Sequence, residues 1–367
     1  MSKKFDLQSA SGVLGGDDAI ERPSVRDAAQ ASRSHLKQLR ENADRVLAPL
    51  VPRGEPCALL DFPDHSNVGD SAIWLGERSL LRRYGVPVVY ACSHQTWCER
   101  VLRCSLPRGT VLLHGGGNFG SLWPRHHQFR LEVLEKLRDY RVVQLPQTLH
   151  FEADDQAGFD RSAELIAAHP DFTLLVRDVN SLRLGERLGA RSLLCPDSAH
   201  FLDISRPAPP RVDCFVLARS DKESRQSAWQ ALAELPGLGM EQADWLVEPP
   251  MWLNHLRRQF FLGAFRRSRT FQRMFQPAYL QYLDALSRQR VRRGIRQLSR
   301  GSVVVTDRLH AHILCSLLEI PNVVLDNSYG KVHDYMRSWT QGHPLCHPVR
   351  DIGQAQRLMQ DLLRTGS

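Results

Sequence analysis

The chain repeatedly sets an unbroken apolar run of strand length against a stretch with helical spacing, and that alternation restricts it to an α/β fold. CALLDF, VPVVYA, TVLLHGGG, RVVQLPQ, TLLVRD and SLLCPD make one series of strands ending at Asp197; CFVLARSD, ADWLVEP, SVVVTDR and NVVLDN make a second. Runs without polar alternation suit strands covered on both faces, so the sheets are expected to be mainly parallel. The proline-rich segment SRPAPPR, residues 205–211, lies between the two series and is the natural linker. At 367 residues the chain exceeds what a single hydrophobic core usually serves. The expected organisation is a polar, aperiodic and disordered segment 1–25, an N-terminal domain 26–205 opening with a helix over 26–48, and a C-terminal domain 206–367.

The stretch VVVTDRLHAH, residues 303–312, couples the end of a buried strand to charge. Ile313, Leu314, Leu317 and Leu318 then recur at helical spacing as far as Pro321, and Val323 to Leu325 resume the strand pattern. This is a β-α-β unit, whose right-handed crossover brings the loop of Asp307 to His310 and the loop of Asp326 to Lys331 to one sheet edge. Ligands of open α/β sheets bind there, beside helix amino termini that favour anions. Arg308, His310 and Lys331 are therefore expected to converge on an anionic ligand. Arg219, in VLARSDKE, occupies the same position after its own strand; a salt bridge to Asp221, Glu223 or Asp307 is the competing use for such an arginine. His312 is expected to be a helix residue that faces its neighbours.

In the first series, Asn67, Gly69 and Asp70 precede an amphipathic helix, where Asp70 either caps the helix or serves chemistry. Gly115, Gly117 and Gly120 meet the spacing G-x-G-x-x-G, yet the next strand ends in Gln147 and Thr148 where a dinucleotide site needs an acid. Consecutive glycines Gly115, Gly116 and Gly117, with Asn118, still let backbone N–H groups approach an anion or a sugar. LPQTLHF and CPDSAHF place Gln147 and Asp197 beyond apolar strands. Eight cysteines without a CxxC pair read as reduced core thiols, with a zinc site as the alternative. There is no DxD sequence, so no metal is expected.

Charge is regional. The net charge is +8, but residues 257–300 hold twelve arginines against one acid, Asp284, a local +11 that leaves the remainder slightly acidic. RRQFFLGAFRRSRTFQRMF interleaves arginine with phenylalanine, as in a basic helix that meets an anionic membrane or polyanion; a solvated arginine face is the alternative. The opening residues contain no apolar segment of signal-peptide length, and no stretch reaches the roughly 20 apolar residues that span a bilayer. The expectation is a cytoplasmic protein, peripheral at the inner face of the cytoplasmic membrane, without a specific nucleic-acid partner.

NVGDSAI, HGGGNFG, LPQT, RDVNS, CPDSAHF, VTDRLHAHIL and VVLDNSYGKV, in this order over about residues 60–335, resemble the polysaccharide pyruvyl transferase family. The resemblance implies two Rossmann-like domains in a GT-B-like arrangement with a ligand cleft between them. It also implies transfer of pyruvate from phosphoenolpyruvate, with no further cofactor, to a sugar of an exopolysaccharide or cell-surface glycan precursor, which can be lipid-linked. Arg219, Arg308, Lys331 and Ser328 would hold the donor, with His310 and Asp70 catalytic. Asn67, Gly69, Gly115, Gly116, Gly117, Asn118, Gln147 and Asp197 would line the acceptor side or form its loops. A GT-B glycosyltransferase using a nucleotide sugar, or a non-catalytic membrane- or polyanion-binding protein, are the competing readings. Residues before 50 and the arginine-rich segment lie outside these motifs.

Overall fold

The computed structural model describes residues 25–218, 238–248, 251–326 and 330–365. Helix α1 (Val25–Leu47) precedes a first parallel sheet of β1 (Cys57–Leu60), β2 (Val88–Cys92), β3 (Thr110–Leu113), β4 (Gly116–Gly120), β5 (Arg141–His150), β6 (Phe172–Val176) and β7 (Arg191–Leu194). Its crossovers are α2 (Val68–Arg83), α3 (Glu99–Ser105), α4 (Pro124–Lys136), α5 (Gln156–Ala168) and α6 (Val179–Arg187). The strand order is β2-β1-β3-β5-β6-β7, with β4 also beside β5. A 3-10 turn, Ser198–Phe201, and the 205–211 segment lead to a second parallel sheet. It contains β8 (Val212–Leu217), β9 (Met240–Ala243), β10 (Gly301–Thr306), β11 (Asn322–Leu325) and β12 (Cys346–Val349), in the order β12-β11-β10-β8-β9. Its helices are α7 (Trp252–Arg267), α8 (Arg269–Met274), α9 (Gln276–Leu298), α10 (Leu309–Leu317), α11 (Lys331–Trp339) and α12 (Ile352–Thr365).

Successive strand residues face opposite sides of a sheet, so an unbroken apolar run fills two cores at once. Ala58, Leu60, Val111, Leu113 and Val142 pack under α3 and α4. Leu59, Leu112, Val143 and Leu175 turn the other way and join Phe215, Leu217, Val304 and Val324 of the second sheet in one continuous cluster. Trp74 of α2, Leu283 and Leu286 of α9, and Ile313 and Leu314 of α10 fill the space between. The two sheets thus share a core. Asp284, the lone acid of the arginine-rich segment, accepts from Trp74 Nε1 at 2.9 Å and from Arg78 Nε at 3.2 Å, tying α9 to α2. Helix α1 spans both halves: Arg40 donates to the carbonyls of His200 and Leu202, each at 2.7 Å, while His35 Nε2 meets the Trp339 carbonyl at 2.7 Å.

Three local expectations need correction. ADWLVEP is not a strand: β9 is the preceding MEQA, whose pairing with β8 ends at Leu217 and Ala243, so the chain leaves the sheet edge at Asp244. Trp245 then turns inward and Val247 outward. Gln147 is not beyond its strand but inside β5, which extends to His150 because β4 continues the line of β3 and pairs with it at Gly116, Phe119 and Gly120. For the same reason Gly116, Gly117 and Asn118 are strand residues rather than loop, and the glycines do not form the tight turn into a helix that a dinucleotide fingerprint requires. The edge strand β12, CHPV, has no apolar run; its Pro348 is tolerated because it lies at a sheet edge. The expected disordered segment 1–25 falls outside the described residues, except Val25, which opens α1.

Candidate active site

Strand order reverses once in each sheet, between β1 and β3 in the first and between β8 and β10 in the second. Crevices at such reversals, beyond the carboxyl ends of the strands, are where open α/β sheets bind ligands. Segments following strands of both sheets line one cavity of about 310 Å³. The first half contributes His65, Asn67, Asp70, Gly117, Asn118, Trp123, His126 and Arg177; the second contributes Trp245, Leu246, Arg308, Leu309, His310 and Lys331.

His310 lies in the first turn of α10 and reaches across to the first half. Its Nε2 is 3.3 Å from Asp197 Oδ2 and 3.4 Å from Arg177 Nη1. Arg177 bonds Asp197 at 2.6 Å and Thr148 at 2.9 Å, and Thr148 in turn donates to Asp178 at 2.9 Å. Burial opposes ionisation of Asp197, but His310, Arg177 and the Ala199 N–H outweigh it and hold its carboxyl far below the usual range. Asp197 is fully buried and does not reach the cavity; it positions the two groups that do. The imidazole rests on Gly69. A Cβ there would lie 2.5 Å from His310 Nδ1, so only glycine leaves room for the ring.

The turn after β1 carries the opposite wall. Asn67 caps α2 by accepting from the Gly69 N–H at 3.0 Å and donates to Asp70 Oδ2 at 2.8 Å. Capping therefore falls to Asn67, and Asp70 is left for the cavity. Burial would raise the Asp70 carboxyl, but His65, His310, His114 and Arg177 outweigh it and keep it low. His65 Nε2 lies 3.5 Å from Asp70 Oδ2, with 43% of the His65 side chain left exposed at the cavity wall. Beneath the glycines, Glu77 accepts from the Gly115 N–H and meets His114 Nδ1, both at 2.8 Å, which fixes the start of β4. Gly116, at φ 124°, occupies backbone space that a side chain would rarely adopt. The Asn118 Oδ1 accepts from Arg130 at 2.8 Å and from Gln147 at 2.7 Å, which leaves its amide N–H groups for a ligand.

Cations gather on the second wall. Arg308, buried, pairs with Asp244, a partner that sequence reasoning did not weigh, and still borders the cavity together with Lys331. Arg219 and Ser328 lie outside the described residues. His312 faces its neighbours, Asn322 at 2.8 Å and Thr340 at 2.9 Å, and burial lowers its pKa to about 4.

Among the described residues, Asp61, His94 and His126 bring one carboxylate and two imidazoles within 4.8 Å, the one group able to hold a metal. Asp61 is already engaged, by His126 Nδ1 at 2.8 Å and Arg130 Nη1 at 2.9 Å, and it sits at φ 68° directly after β1. Six of the eight cysteines are buried and none joins the group.

The sequence profile described as Polysaccharide pyruvyl transferase matches residues 67–329, which span every cavity segment except the first residues of the β1 turn and the start of α11. The chain belongs to this family. Similar proteins include Pyruvyl transferase 1 of Schizosaccharomyces pombe, 30% identical over 304 residues that cover 78% of this chain and 70% of that protein. A Bacillus subtilis protein named "Putative pyruvyl transferase EpsO" is 28% identical over 324 residues, covering 85% and 94%. A crystal structure of an uncharacterised Klebsiella pneumoniae protein shares the fold at a TM-score of 0.54 and 18% identity, over 85% of this chain and 98% of that one. No helix among the described residues is long and apolar enough to cross a membrane.

Of the residues singled out from sequence, His310, Asp70, Arg308, Lys331, Asn67, Gly117 and Asn118 line the cavity. Gly69, Gly115, Gly116, Gln147 and Asp197 sit behind it as supports. Arg177, His65 and His126 were missed. Arg177 had a readable signal, because FTLLV runs into RDVNS as VVVT runs into DRLH, an apolar strand ending in an arginine.

Proposed function

We propose that this chain transfers pyruvate from phosphoenolpyruvate to two hydroxyls of one sugar in an exopolysaccharide or cell-surface glycan precursor, forming a pyruvate ketal. The observation that carries this reading is the meeting of Arg177, Arg308, Lys331 and His310 around one cavity of about 310 Å³, a size suited to a small dianion and a sugar ring. The second half, with Arg177 reaching in from the first, is then the donor side, and the rest of the first half the acceptor side, in a GT-B-like arrangement.

Phosphoenolpyruvate brings a carboxylate and a phosphate, which guanidinium forks and an ammonium bind by charge-assisted hydrogen bonds. His310 protonates the methylene carbon, and carbon 2 gains positive character. Asp70, an anion at the cavity wall, stabilises that charge and orients the first hydroxyl. His65, at the cavity wall 3.5 Å from Asp70, accepts the hydroxyl proton. The bond from carbon 2 to the phosphate oxygen then breaks, and a second hydroxyl closes the ketal ring. Of the two protons released by the hydroxyls, one replaces that delivered to carbon 3 and the other leaves with phosphate. Side chains supply every charge in this scheme, and no metal takes part in it.

Ligand-induced thermal shift separates this from the nucleotide-sugar alternative. Phosphoenolpyruvate should raise the melting temperature and nucleotide sugars should not. Arg308→Ala should weaken donor binding, each charge-assisted bond being worth roughly 1.5 to 3 kcal/mol. His310→Ala should bind the donor and lower turnover by about 10² to 10⁴. A shift with a nucleotide sugar and none with phosphoenolpyruvate would overturn the reading.

A further inference from the structure

Helix α7 is apolar on two sides. Phe261 and Phe265 are buried and pack their rings, tilted or edge-on, within 5.5 Å of Tyr279 or Tyr282, which fixes that side to α9. On the other side Trp252, Leu253, Leu256 and Phe260 stand 66%, 51%, 56% and 56% exposed. Trp252, Leu256 and Phe260 follow one another at i, i+4 and i+8, so they form a single stripe along the helix. Val247 just before the helix, 73% exposed, and Met274 at the end of α8, 66% exposed, add to the uncovered apolar residues at either end. These six account for most of the large apolar side chains exposed among the described residues, whereas scattered single ones would need no explanation.

The same stretch carries Arg257, Arg266, Arg267, Arg269 and Arg273, all exposed, and the sequence holds no acid between Glu248 and Asp284. We infer that this side of α7 and α8 docks onto an anionic lipid bilayer, with the apolar stripe among the acyl chains and the arginines at the headgroups. A second copy of the chain would meet arginine with arginine. A polynucleotide would use the arginines but leave the aliphatic Leu253, Leu256 and Met274 exposed to water. A bilayer satisfies both features, since apolar area and basic charge together set the affinity of interfacial helices. Leu246, adjacent to Val247, lines the catalytic cavity, so docking would hold the cavity mouth close to the headgroups.

The inference stands apart from the proposed transfer reaction, and its test uses no substrate. Flotation of the full chain with phosphatidylcholine vesicles, with and without phosphatidylglycerol, should show binding only when the anionic lipid is present, weakened by salt. Arg266→Gln, Arg267→Gln and Arg269→Gln together should lower the partition coefficient, roughly fivefold per arginine. Trp252→Ser with Phe260→Ser should lower it at least about tenfold. Unchanged melting temperatures would show that both variants are folded. Wild-type partitioning by either folded variant would overturn the inference. So would a dimer in light scattering that Trp252→Ser with Phe260→Ser converts to monomer, or tight binding to heparin or DNA with no binding to anionic vesicles.

Discussion

The two walls of the cavity are assembled from very different lengths of chain. The second-sheet wall takes Arg308, Leu309 and His310 from one strand-to-helix junction, where neighbours in sequence are neighbours in the site, and adds Trp245 and Leu246 after β9 and Lys331 at the start of α11. The first-sheet wall draws on His65 and Asp70 after β1, Asn118 within β4, His126 in α4 and Arg177 after β6. Beyond the β1 turn these are joined by long-range bonds such as Arg130 to Asn118 and Arg177 to Thr148. A wall centred on one junction, tied to the rest by the buried pair of Arg308 with Asp244, depends largely on local geometry, while the more dispersed wall depends on buried polar networks that fail together when one member is removed.

Arg177→Ala should have the largest effect. It strips Asp197 of its closest cation in the core, and breaking a buried pair from one side costs about 3 to 5 kcal/mol. Denaturant melts would register that loss, together with the loss of donor binding. Lys331→Ala on the other wall should instead leave stability nearly unchanged and weaken donor binding by roughly 1.5 to 3 kcal/mol in calorimetry. Equal stability losses for the two variants would erase the distinction between the walls.

Gly69→Ala probes the line where the walls touch. Alanine is the better helix former, yet its Cβ would fall 2.5 Å from His310 Nδ1 and displace the ring. Turnover should drop toward the level of His310→Ala while donor affinity is kept; full turnover would mean that the ring position is unimportant.

A separate effect concerns pH. Burial lowers His127 and His312 to about 4 and His200 and His343 to about 3. Unfolding restores each to about 6.5, so the unfolded chain binds more protons below that pH. The contribution is complete above pH 6.5 and is lost as pH falls toward 4. Melting temperature should fall steadily across that window. A flat profile there would contradict the neutral burial of these four rings.

The same difference between walls governs what could be read from sequence. VVVTDRLHAH announced a strand, a helix and the cationic site together, because adjacent residues carried all three signals. The parallel sheets were legible for a similar reason, their strands being unbroken apolar runs. The first wall was not. Whether Gly116 to Gly120 form a loop or a strand depends on pairing with β5 about thirty residues later, and no local pattern encodes that. Nor does sequence spacing reveal that Asp197 faces Arg177 and His310 rather than solvent. Trp252, Leu253 and Leu256 precede the arginine-rich stretch that stands out in the sequence, and their exposure follows from α9 covering only the Phe261 side of the helix.

The most direct test is the fate of the methylene carbon. In deuterium oxide, the chain would be incubated with phosphoenolpyruvate and glycosides that offer a 1,2- or 1,3-diol, and the products followed by NMR. Transfer through protonation by His310 should give a ketal whose methyl group carries one deuterium, with one inorganic phosphate released per ketal and both products formed about 10² to 10⁴ more slowly by His310→Ala. Ketal formation by His310→Ala at the wild-type rate, or consumption of a nucleotide sugar with phosphoenolpyruvate untouched, would contradict it.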